Sequence, residues 1–359
     1  MYYKTEPFYT NVDAYVHTNN WEILESIRIL NQKGYSVDLI DRCVGNWSPG
    51  KKYDLFLGLG VGNAGTKFPK FAAISQAPVK ILLAMGPQPD VSAKRTIERY
   101  QLFNKRNNLN IPTMRVPDKV TGETWNEILN AADYIFNIGE VGTESYNSYL
   151  PYLSDPKTIL NFYPSISPKV IFKPEWINTR DLNSFLCFAG NGFICKGVDL
   201  VLDAFLKDED KTLHICGPSS ESAFFQRYNR DIQNAPNVKY HGFVEPGGQT
   251  FNLLASKCGF TIFHSASEGC CTSVATSMKA GLVPIINRWT GINITDEGFV
   301  MSDEGDLDKV ISESINRASS LNKEQYKKIV SKTLNKAAMF SQHSFTESYT
   351  KALSKVLEE

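Results

Sequence analysis

Short apolar runs alternate with stretches of helical periodicity in the first part of the chain. The runs that predict strands there are Ala14–His17, Tyr35–Ile40, Asp54–Leu59, Val79–Ala84 and Tyr134–Ile138. The periodicity predicts helices over Trp21–Lys33 and Trp125–Ala131, and Gly34 closes the first of them. Strands that alternate with helices are typical of parallel sheets covered by helices on both faces.

A segment rich in proline interrupts this pattern. The stretch from Asn161 to Ser184 contains Pro164, Pro168 and Pro174, which disfavour a continuous helix and predict a linker. The alternation then resumes. Strands are predicted over Phe185–Ala189, Thr212–Cys216, Val238–Tyr240, Phe260–His264 and Val283–Ile286. Helices are predicted over Val198–Lys207, Ala223–Ile232, Phe251–Ser256 and Thr272–Ala280.

The pattern therefore predicts an α/β protein with two Rossmann-like domains that face each other across a cleft. We expect an N-terminal domain over residues 1–170, a C-terminal domain over 171–340, and a C-terminal helix over 341–359 that packs back on the N-terminal domain. Ligands of such sheets bind beyond the carboxyl ends of the strands, so the cleft is the expected site.

An apolar stripe near the C-terminus has two interpretations. Its members are Tyr326, Ile329, Val330, Leu334 and Ala337, and lysines lie mostly between them. A basic amphipathic helix can bind the surface of an anionic membrane. The alternative, which we favour, is a packed helix whose lysines form a solvated face.

Composition narrows the class of protein. In 359 residues, 38 Lys and Arg balance 38 Asp and Glu, so the basic excess typical of nucleic-acid-binding proteins is missing. The seven cysteines include no Cys-x-x-Cys pair and are expected to be reduced thiols. The first ten residues do not read as a signal peptide, and no apolar run is long enough to span a membrane. We expect a cytoplasmic protein, with peripheral contact at the inner face of the membrane as an alternative.

Three segments of the second half carry the candidate chemistry. In the first, a strand ends at Ala189, Gly190 and Gly192 lie in a loop, and Lys196–Gly197 opens a helix. Glycines let backbone amides approach an anion, and the lysine adds a positive charge, so this loop could hold a diphosphate. It is not a P-loop, because the Gly-Lys-Ser/Thr ending is missing.

The second segment follows the predicted strand that ends at His264. Glu268–Gly269 and Cys270–Cys271 lie in the next loop, and Thr272 or Ser273 is expected to cap the following helix. Amides at that helix N-terminus favour a phosphate, and Glu268 is placed to accept hydrogen bonds from sugar hydroxyls. In the third segment, His241–Gly242–Phe243 follows a short strand, where backbone groups and an aromatic ring could meet a flat base.

Together these segments resemble the donor domain of GT-B glycosyltransferases, especially the retaining family 4 group. The resemblance spans roughly Phe185 to Val300. The matching positions are Gly190, Lys196–Gly197, Gly217–Pro218, Gly242, Glu268–Gly269 and Met278–Pro284. Two positions depart from the family pattern: Asn191 replaces an arginine, and Thr276 replaces a second glutamate that holds the nucleotide ribose. The loop from Met85 to Asp90, followed by Arg95, Arg99 and Arg106, looks like a stretch of some polysaccharide-assembly members.

The resemblance implies a retaining, metal-independent hexosyltransferase for polysaccharide or glycan assembly. Its donor would be a nucleotide sugar, and its acceptor a hydroxyl of a glycan, a lipid-linked glycan or another molecule. The implied catalytic residues are Lys196, Glu268 and His17. The implied donor-binding residues are Gly190, Asn191, Gly217, His241, Gly242, Phe243, Gly269, Cys270, Cys271, Thr272, Ser273 and Thr276.

Other interpretations of these residues, and other functions, remain open from the sequence. His17 and His264 each have a structural interpretation, and neither has a partner at metal-ligand spacing. The triplet Asp208–Asp210 precedes a strand on the side away from the expected site, so we expect no metal and no cofactor. The alternative functions are a nucleotide-sugar epimerase of GT-B fold and a noncatalytic subunit that binds a sugar nucleotide.

Overall fold

The computed structural model describes residues 1–9, 17–60, 65–114, 122–155, 158–218 and 221–358. These residues form two parallel six-stranded sheets, each with helices packed beside it. The strands of the first sheet are β1 (Tyr2–Tyr3), β2 (Ile40–Asp41), β3 (Leu55–Leu59), β4 (Val79–Ala84), β5 (Tyr134–Ile138) and β6 (Ile159–Phe162). Their order across the sheet is β2-β1-β3-β4-β5-β6.

The helices that accompany the first sheet are α1 (Thr18–Gln32), α2 (Phe68–Ser75), α3 (Pro89–Asn107), α4 (Gly122–Asn130) and α5 (Glu144–Tyr149). Single 3-10 turns lie at Glu6–Phe8 and Leu150–Tyr152. The predicted alternation of strands and helices is thus present in the N-terminal half.

The second sheet contains β7 (Asp181–Phe188), β8 (Thr212–Cys216), β9 (Val238–Tyr240), β10 (Cys258–Phe263), β11 (Val283–Asn287) and β12 (Phe299–Met301). Their order is β12-β11-β10-β7-β8-β9, and β10 is buried along its whole length because helices cover both faces. The helices are α6 (Trp176–Thr179), α7 (Val198–Leu206), α8 (Ser222–Asn234), α9 (Gln249–Lys257), α10 (Thr272–Lys279), α11 (Leu307–Ser319), α12 (Lys323–Ala337) and α13 (Gln342–Glu358). Further 3-10 turns lie at Arg288–Thr290 and Ala338–Phe340.

The start of the first sheet differs from the prediction where it is described. Residues 14–16 of the predicted first strand lie outside the described residues, and His17 caps α1 instead of ending a strand. The predicted strand Tyr35–Ile40 is reduced to β2, which pairs with β1 through Tyr2–Ile40 and Tyr3–Asp41. Because β1 has only two residues, it offers no ladder partner to the rest of that run.

The linker is shorter than the prolines predict. Strand β6 extends to Phe162, the short helix α6 lies within the predicted linker, and β7 already begins at Asp181. The strands β1, β6 and β12 were not predicted, and they are only two to four residues long. Such short elements have no periodicity of their own to find.

Two helices pack away from their neighbours in sequence. Helix α13 places Phe345, Tyr349 and Leu353 in the apolar cluster of the first sheet. Helix α3 lies in the N-terminal half of the sequence, but its Tyr100 and Phe103 are buried in the large apolar cluster of the second sheet. The chain therefore crosses between the two domains at α3, at the linker and again before α13.

The apolar stripe of α12 is buried. Tyr326, Val330 and Ala337 lie in the cluster of the second sheet, and Ile329 and Leu334 pack against it. Lys332 and Lys336 form ion pairs with Asp296 and Glu140. The packed-helix interpretation is therefore the right one for this stripe. Among the described residues, no helix is long and apolar enough to cross a membrane.

Candidate functional site

A cleft of about 600 Å³ lies between the two sheets, at the carboxyl ends of their strands. The N-terminal half contributes His17, Thr18, Asn19, Met85, Ser92, Thr96 and Ile138 to its walls. The predicted residues that line it from the other side are Gly190, Asn191, Lys196, Gly217, Phe243, Glu268, Cys270, Cys271, Thr272, Ser273 and Thr276. Most of the predicted site residues are thus brought to one place by the fold.

The loop before α7 carries Lys196 into this cleft. Its middle is anchored by Phe193 and Ile194, which are fully buried, so the loop is held at its centre. Gly197 is the N-cap of α7 and has a φ of +70°, where a side chain is rarely tolerated. A Cβ at Gly197 would also collide with the backbone of His264 and lie 2.7 Å from Arg99 Nη1. Close packing against the neighbouring strand end therefore requires glycine here.

The loop after β10 carries Glu268. The amide of Ala266 donates to the carbonyl of Cys195, 2.8 Å away, which ties this loop to the one that carries Lys196. The amide of Glu268 donates to the carbonyl of Trp289 at 2.9 Å. Gly269 packs against the N-terminal half, since a Cβ there would lie 2.7 Å from the carbonyl oxygen of Met85.

The ammonium of Lys196 and the carboxylate of Glu268 form an ion pair in the wall of the cleft. The side chain of Lys196 is 13% exposed and that of Glu268 is 26% exposed, so water reaches both groups only in part. An ion pair in such a place is stronger than one on an open surface, because the surrounding protein lowers the effective dielectric constant. The two residues expected to contact diphosphate and sugar hence lie side by side.

The N-terminus of α10 faces the same cleft. Its N-cap is Cys271, with no side-chain capping bond, so the prediction that Thr272 or Ser273 caps the helix was wrong. Both residues lie in the first turn of the helix, one or two positions too late to cap it. The first amides of a helix lacking a side-chain cap, together with its dipole, favour an anion.

The thiols beside this helix are suited to packing. Cys270 and Cys271 are 7% and 3% exposed, and burial raises the pKa of both groups. A thiol with a raised pKa is a poor nucleophile at neutral pH, because the thiolate is the reactive form. We therefore assign these side chains a role in the shape of the cleft wall.

His17 lies on the opposite wall. As the N-cap of α1, its Nδ1 accepts a hydrogen bond from the amide of Asn19 at 3.2 Å, which leaves the proton of the neutral ring on Nε2. Desolvation by the surrounding protein, together with the positive charges of Lys4, Arg42 and Lys196, lowers the pKa of His17. The ring is thus neutral at physiological pH and offers Nε2–H as a donor.

Three predicted residues do not line the cleft. Gly269 packs against the N-terminal half, as described above. His241 instead stacks on His214, with Nε2 of His241 and Nδ1 of His214 2.9 Å apart, and Gly242 follows it outside the cleft wall. His214 lies on the neighbouring strand β8, a pairing that local sequence does not reveal. Phe243 does line the cleft, where 57% of its surface is exposed.

The two departures from the family pattern have different surroundings. Asn191 is exposed at the cleft. Thr276 is 3% exposed, and its hydroxyl donates to the carbonyl of Thr272 at 2.6 Å in its own helix. Because the hydroxyl proton is used within the helix, only an acceptor lone pair of Thr276 is left for a ligand.

Other notable side chains were missed or interpreted differently. Ser92 and Thr96 of α3 line the cleft, although nothing in their local sequence indicates it. His264 is 1% exposed, and burial lowers its pKa to about 3. Its Nδ1 lies 2.9 Å from Arg99 Nη2, so it is a structural residue behind the cleft. Asp208 of the acidic triplet pairs with Lys211 at the end of α7.

A family model agrees with the C-terminal half of this architecture. Residues 173–333 match the model described as "Glycosyl transferases group 1". That range contains the second sheet and the loops of Lys196 and Glu268. No curated protein matches the chain by sequence.

Solved structures share the fold over the whole chain. HepE from Anabaena, crystallised with UDP and glucose, has a TM-score of 0.62 and 11% identity, with 99% of this chain and 98% of that chain covered. WaaG, a glycosyltransferase involved in lipopolysaccharide biosynthesis, has a TM-score of 0.61 and 12% identity, with 100% and 99% covered. TarM, known from S. aureus, has a TM-score of 0.57 and 14% identity. The match with TarM covers 85% of this chain and 55% of TarM. The fold is GT-B, as predicted.

Proposed function

We propose that this protein, whose residues 173–333 match the family model described as "Glycosyl transferases group 1", transfers a hexose from a nucleotide sugar to an acceptor hydroxyl. The proposal includes retention of the anomeric configuration, no requirement for a metal, and a role in polysaccharide or glycan assembly. The single observation that carries it is the ion pair of Lys196 and Glu268 in the cleft, beside the N-terminus of α10.

The leaving group sets the main physical demand on the site. As the bond between the sugar and the diphosphate breaks, negative charge grows on the phosphate oxygens. The ammonium of Lys196 and the amides at the start of α10 are placed around one space, so once donor binding has turned Lys196 from Glu268 to the diphosphate they would meet this charge without further movement. Stabilisation of developing charge by preorganised groups is usually the largest catalytic contribution.

Glu268 would bind the sugar of the donor. Its carboxylate can accept hydrogen bonds from ring hydroxyls once Lys196 turns to the diphosphate. Among the described residues that line the cleft, Glu268 is the carboxylate, and its partner is a lysine. A side-chain nucleophile is therefore not part of the proposal, and a phosphate oxygen of the departing diphosphate takes the proton of the acceptor hydroxyl.

The acceptor would approach from the N-terminal half. His17 faces the cleft with Nε2–H available as a donor, while Ser92 and Thr96 add hydroxyls to the same wall. These groups fit a polyhydroxylated acceptor, such as the end of a glycan. We propose that His17 binds this acceptor as a neutral ring.

A thermal-shift panel of nucleoside diphosphates and nucleotide sugars tests the donor site. A ligand that binds the folded protein alone raises its melting temperature, so one nucleotide should produce a specific upward shift. Lys196→Met should abolish that shift. Lys207→Met is the matched control, because Lys207 lies just beyond the far end of α7, where it pairs with Asp308.

Incubation of the binding donor with and without glycan acceptors tests the reaction. Release of nucleoside diphosphate that depends on acceptor supports transfer, whereas interconversion of the sugar without acceptor would indicate an epimerase. Binding without either reaction would indicate a noncatalytic subunit, and no shift with any nucleotide at saturation would overturn the donor site itself. A chelator should leave the rate unchanged.

A further inference from the structure

Helix α3 belongs to the N-terminal half by sequence but to the donor side by packing. Tyr100 and Phe103 are 1% and 0% exposed within the apolar cluster of the second sheet. The helix is 19 residues long, and three of its arginines contact the C-terminal half. An exposed helix would present these charges to water, so their burial needs a structural or functional reason.

One set of contacts holds the loop that carries Glu268. Ser267 Oγ donates to Ser92 Oγ at 2.9 Å, and Arg95 Nε donates to the carbonyl of Ala266 at 2.6 Å. The guanidinium of Arg95 also lies 3.9 Å from the ring centre of Trp289, whose carbonyl binds the amide of Glu268. The two residues immediately before Glu268 are therefore fixed from the N-terminal half.

A second set of contacts holds the loop that carries Lys196. The hydroxyl of Tyr100 donates to Oε1 of Glu221 at 2.7 Å. The other oxygen of Glu221 accepts from the amide of Ile194 at 3.0 Å, two residues before Lys196. Tyr100 and Glu221 are both nearly buried, so this bridge is shielded from water.

We propose that α3 is the positioning element of the donor site, with Arg95 setting the Glu268 loop and Tyr100 setting the Lys196 loop. The inference rests on the proposed function for the roles of sugar and diphosphate. Neither residue needs to touch the substrate. Both act through loops, and a displacement of about 1 Å in such a loop can cost a hundredfold in rate.

The two loops predict different defects. Glu268 is assigned to the sugar, so Arg95→Gln should weaken binding of a nucleotide sugar without weakening binding of the matching nucleoside diphosphate. We expect the ratio of the two dissociation constants to change about tenfold, as for the loss of one hydrogen bond to a charged group. Tyr100→Phe should weaken both ligands by a similar factor and leave the ratio unchanged.

Arg106 provides the matched control. It lies on the same helix, its side chain is 20% exposed against 22% for Arg95, and it binds Asp203 of α7 and Asp308 of α11, which are not part of either loop. Arg106→Gln should lower the melting temperature through weaker docking of α3, with both dissociation constants within about twofold of wild type. Calorimetric titration of the full chain with both ligands measures all these values.

The outcomes separate this inference from the proposed function. If the wild-type protein binds no nucleotide, the proposed function is wrong, and the inference that rests on it is wrong as well. If wild type binds but Arg95→Gln keeps its ratio, or Arg106→Gln shifts the ratio equally, the positioning role alone is overturned. If Arg95→Gln does not fold, Ser92→Ala removes a milder contact to the same loop and must change the ratio in the same direction.

Discussion

Neutralising Glu268 should tighten the binding of a nucleoside diphosphate while impairing transfer. In the absence of ligand, Lys196 is held by the Glu268 carboxylate. A diphosphate must compete with that carboxylate for the ammonium and also accept a negative charge beside its own. Glu268→Gln removes both obstacles, because it replaces the carboxylate with an uncharged amide of nearly the same size.

The magnitude follows from the surroundings of the pair. A hydrogen bond to a charged group contributes about 1.5–3 kcal/mol net, and part of this is recovered when Lys196 no longer binds a carboxylate. Repulsion between unit charges about 4 Å apart reaches roughly 4 kcal/mol at an effective dielectric constant of about 20, and water in the cleft reduces it. We expect a net gain of about 1.4 kcal/mol, which is about tenfold in affinity.

Titration calorimetry with the nucleoside diphosphate, and a rate assay with the nucleotide sugar, measure the two effects. The variant should show a dissociation constant about tenfold lower and a clear loss of transfer. Glu304→Gln, outside the cleft wall, is the control. Equal or weaker binding of the diphosphate by Glu268→Gln would refute the idea that this carboxylate competes for Lys196.

Other side chains give further tests. Phe243→Ala should weaken a nucleoside diphosphate by about 1–3 kcal/mol relative to inorganic pyrophosphate in calorimetry, if the exposed ring stacks on the base. Glu22 accepts hydrogen bonds from the amide and hydroxyl of Ser165, and burial raises its pKa to about 7. A raised carboxyl pKa means that stability falls as pH rises from the unfolded value of 4.5 to about 7. Glu22→Gln should therefore raise the melting temperature at pH 8 but not at pH 4.5. An equal gain at both would contradict this assignment.

The sequence was most informative where burial is complete. Helices cover both faces of strand β10 (Cys258–Phe263), and the apolar run Phe260–His264 predicted most of this strand. The apolar run at Tyr35–Ile40 was wrongly predicted to be a full strand. Its apolar residues pack on the first sheet, but only Ile40 pairs with a neighbouring strand. A hydrophobic pattern reports burial, whereas a strand also needs a partner with free backbone groups.

The glycines and charged residues of the candidate site could be predicted from the sequence, but the residues that hold its loops in place could not. Lys196 and Glu268 follow strand ends, and the carboxyl ends of parallel strands meet at one edge, so their proximity could be expected. The contacts of the α3 arginines could not be predicted, because nothing in the local sequence shows that Asp303 or His264 lies opposite them. The same holds for His241, whose partner His214 lies 27 residues away.

The central claim is that Lys196 and the first amides of α10 hold the diphosphate of the donor. A crystal structure with the nucleoside diphosphate from the thermal-shift panel tests it most directly. We predict phosphate oxygens within about 3 Å of Lys196 Nζ and of an amide in the first turn of α10. A diphosphate bound elsewhere in the cleft, with Lys196 still paired to Glu268, would contradict the account.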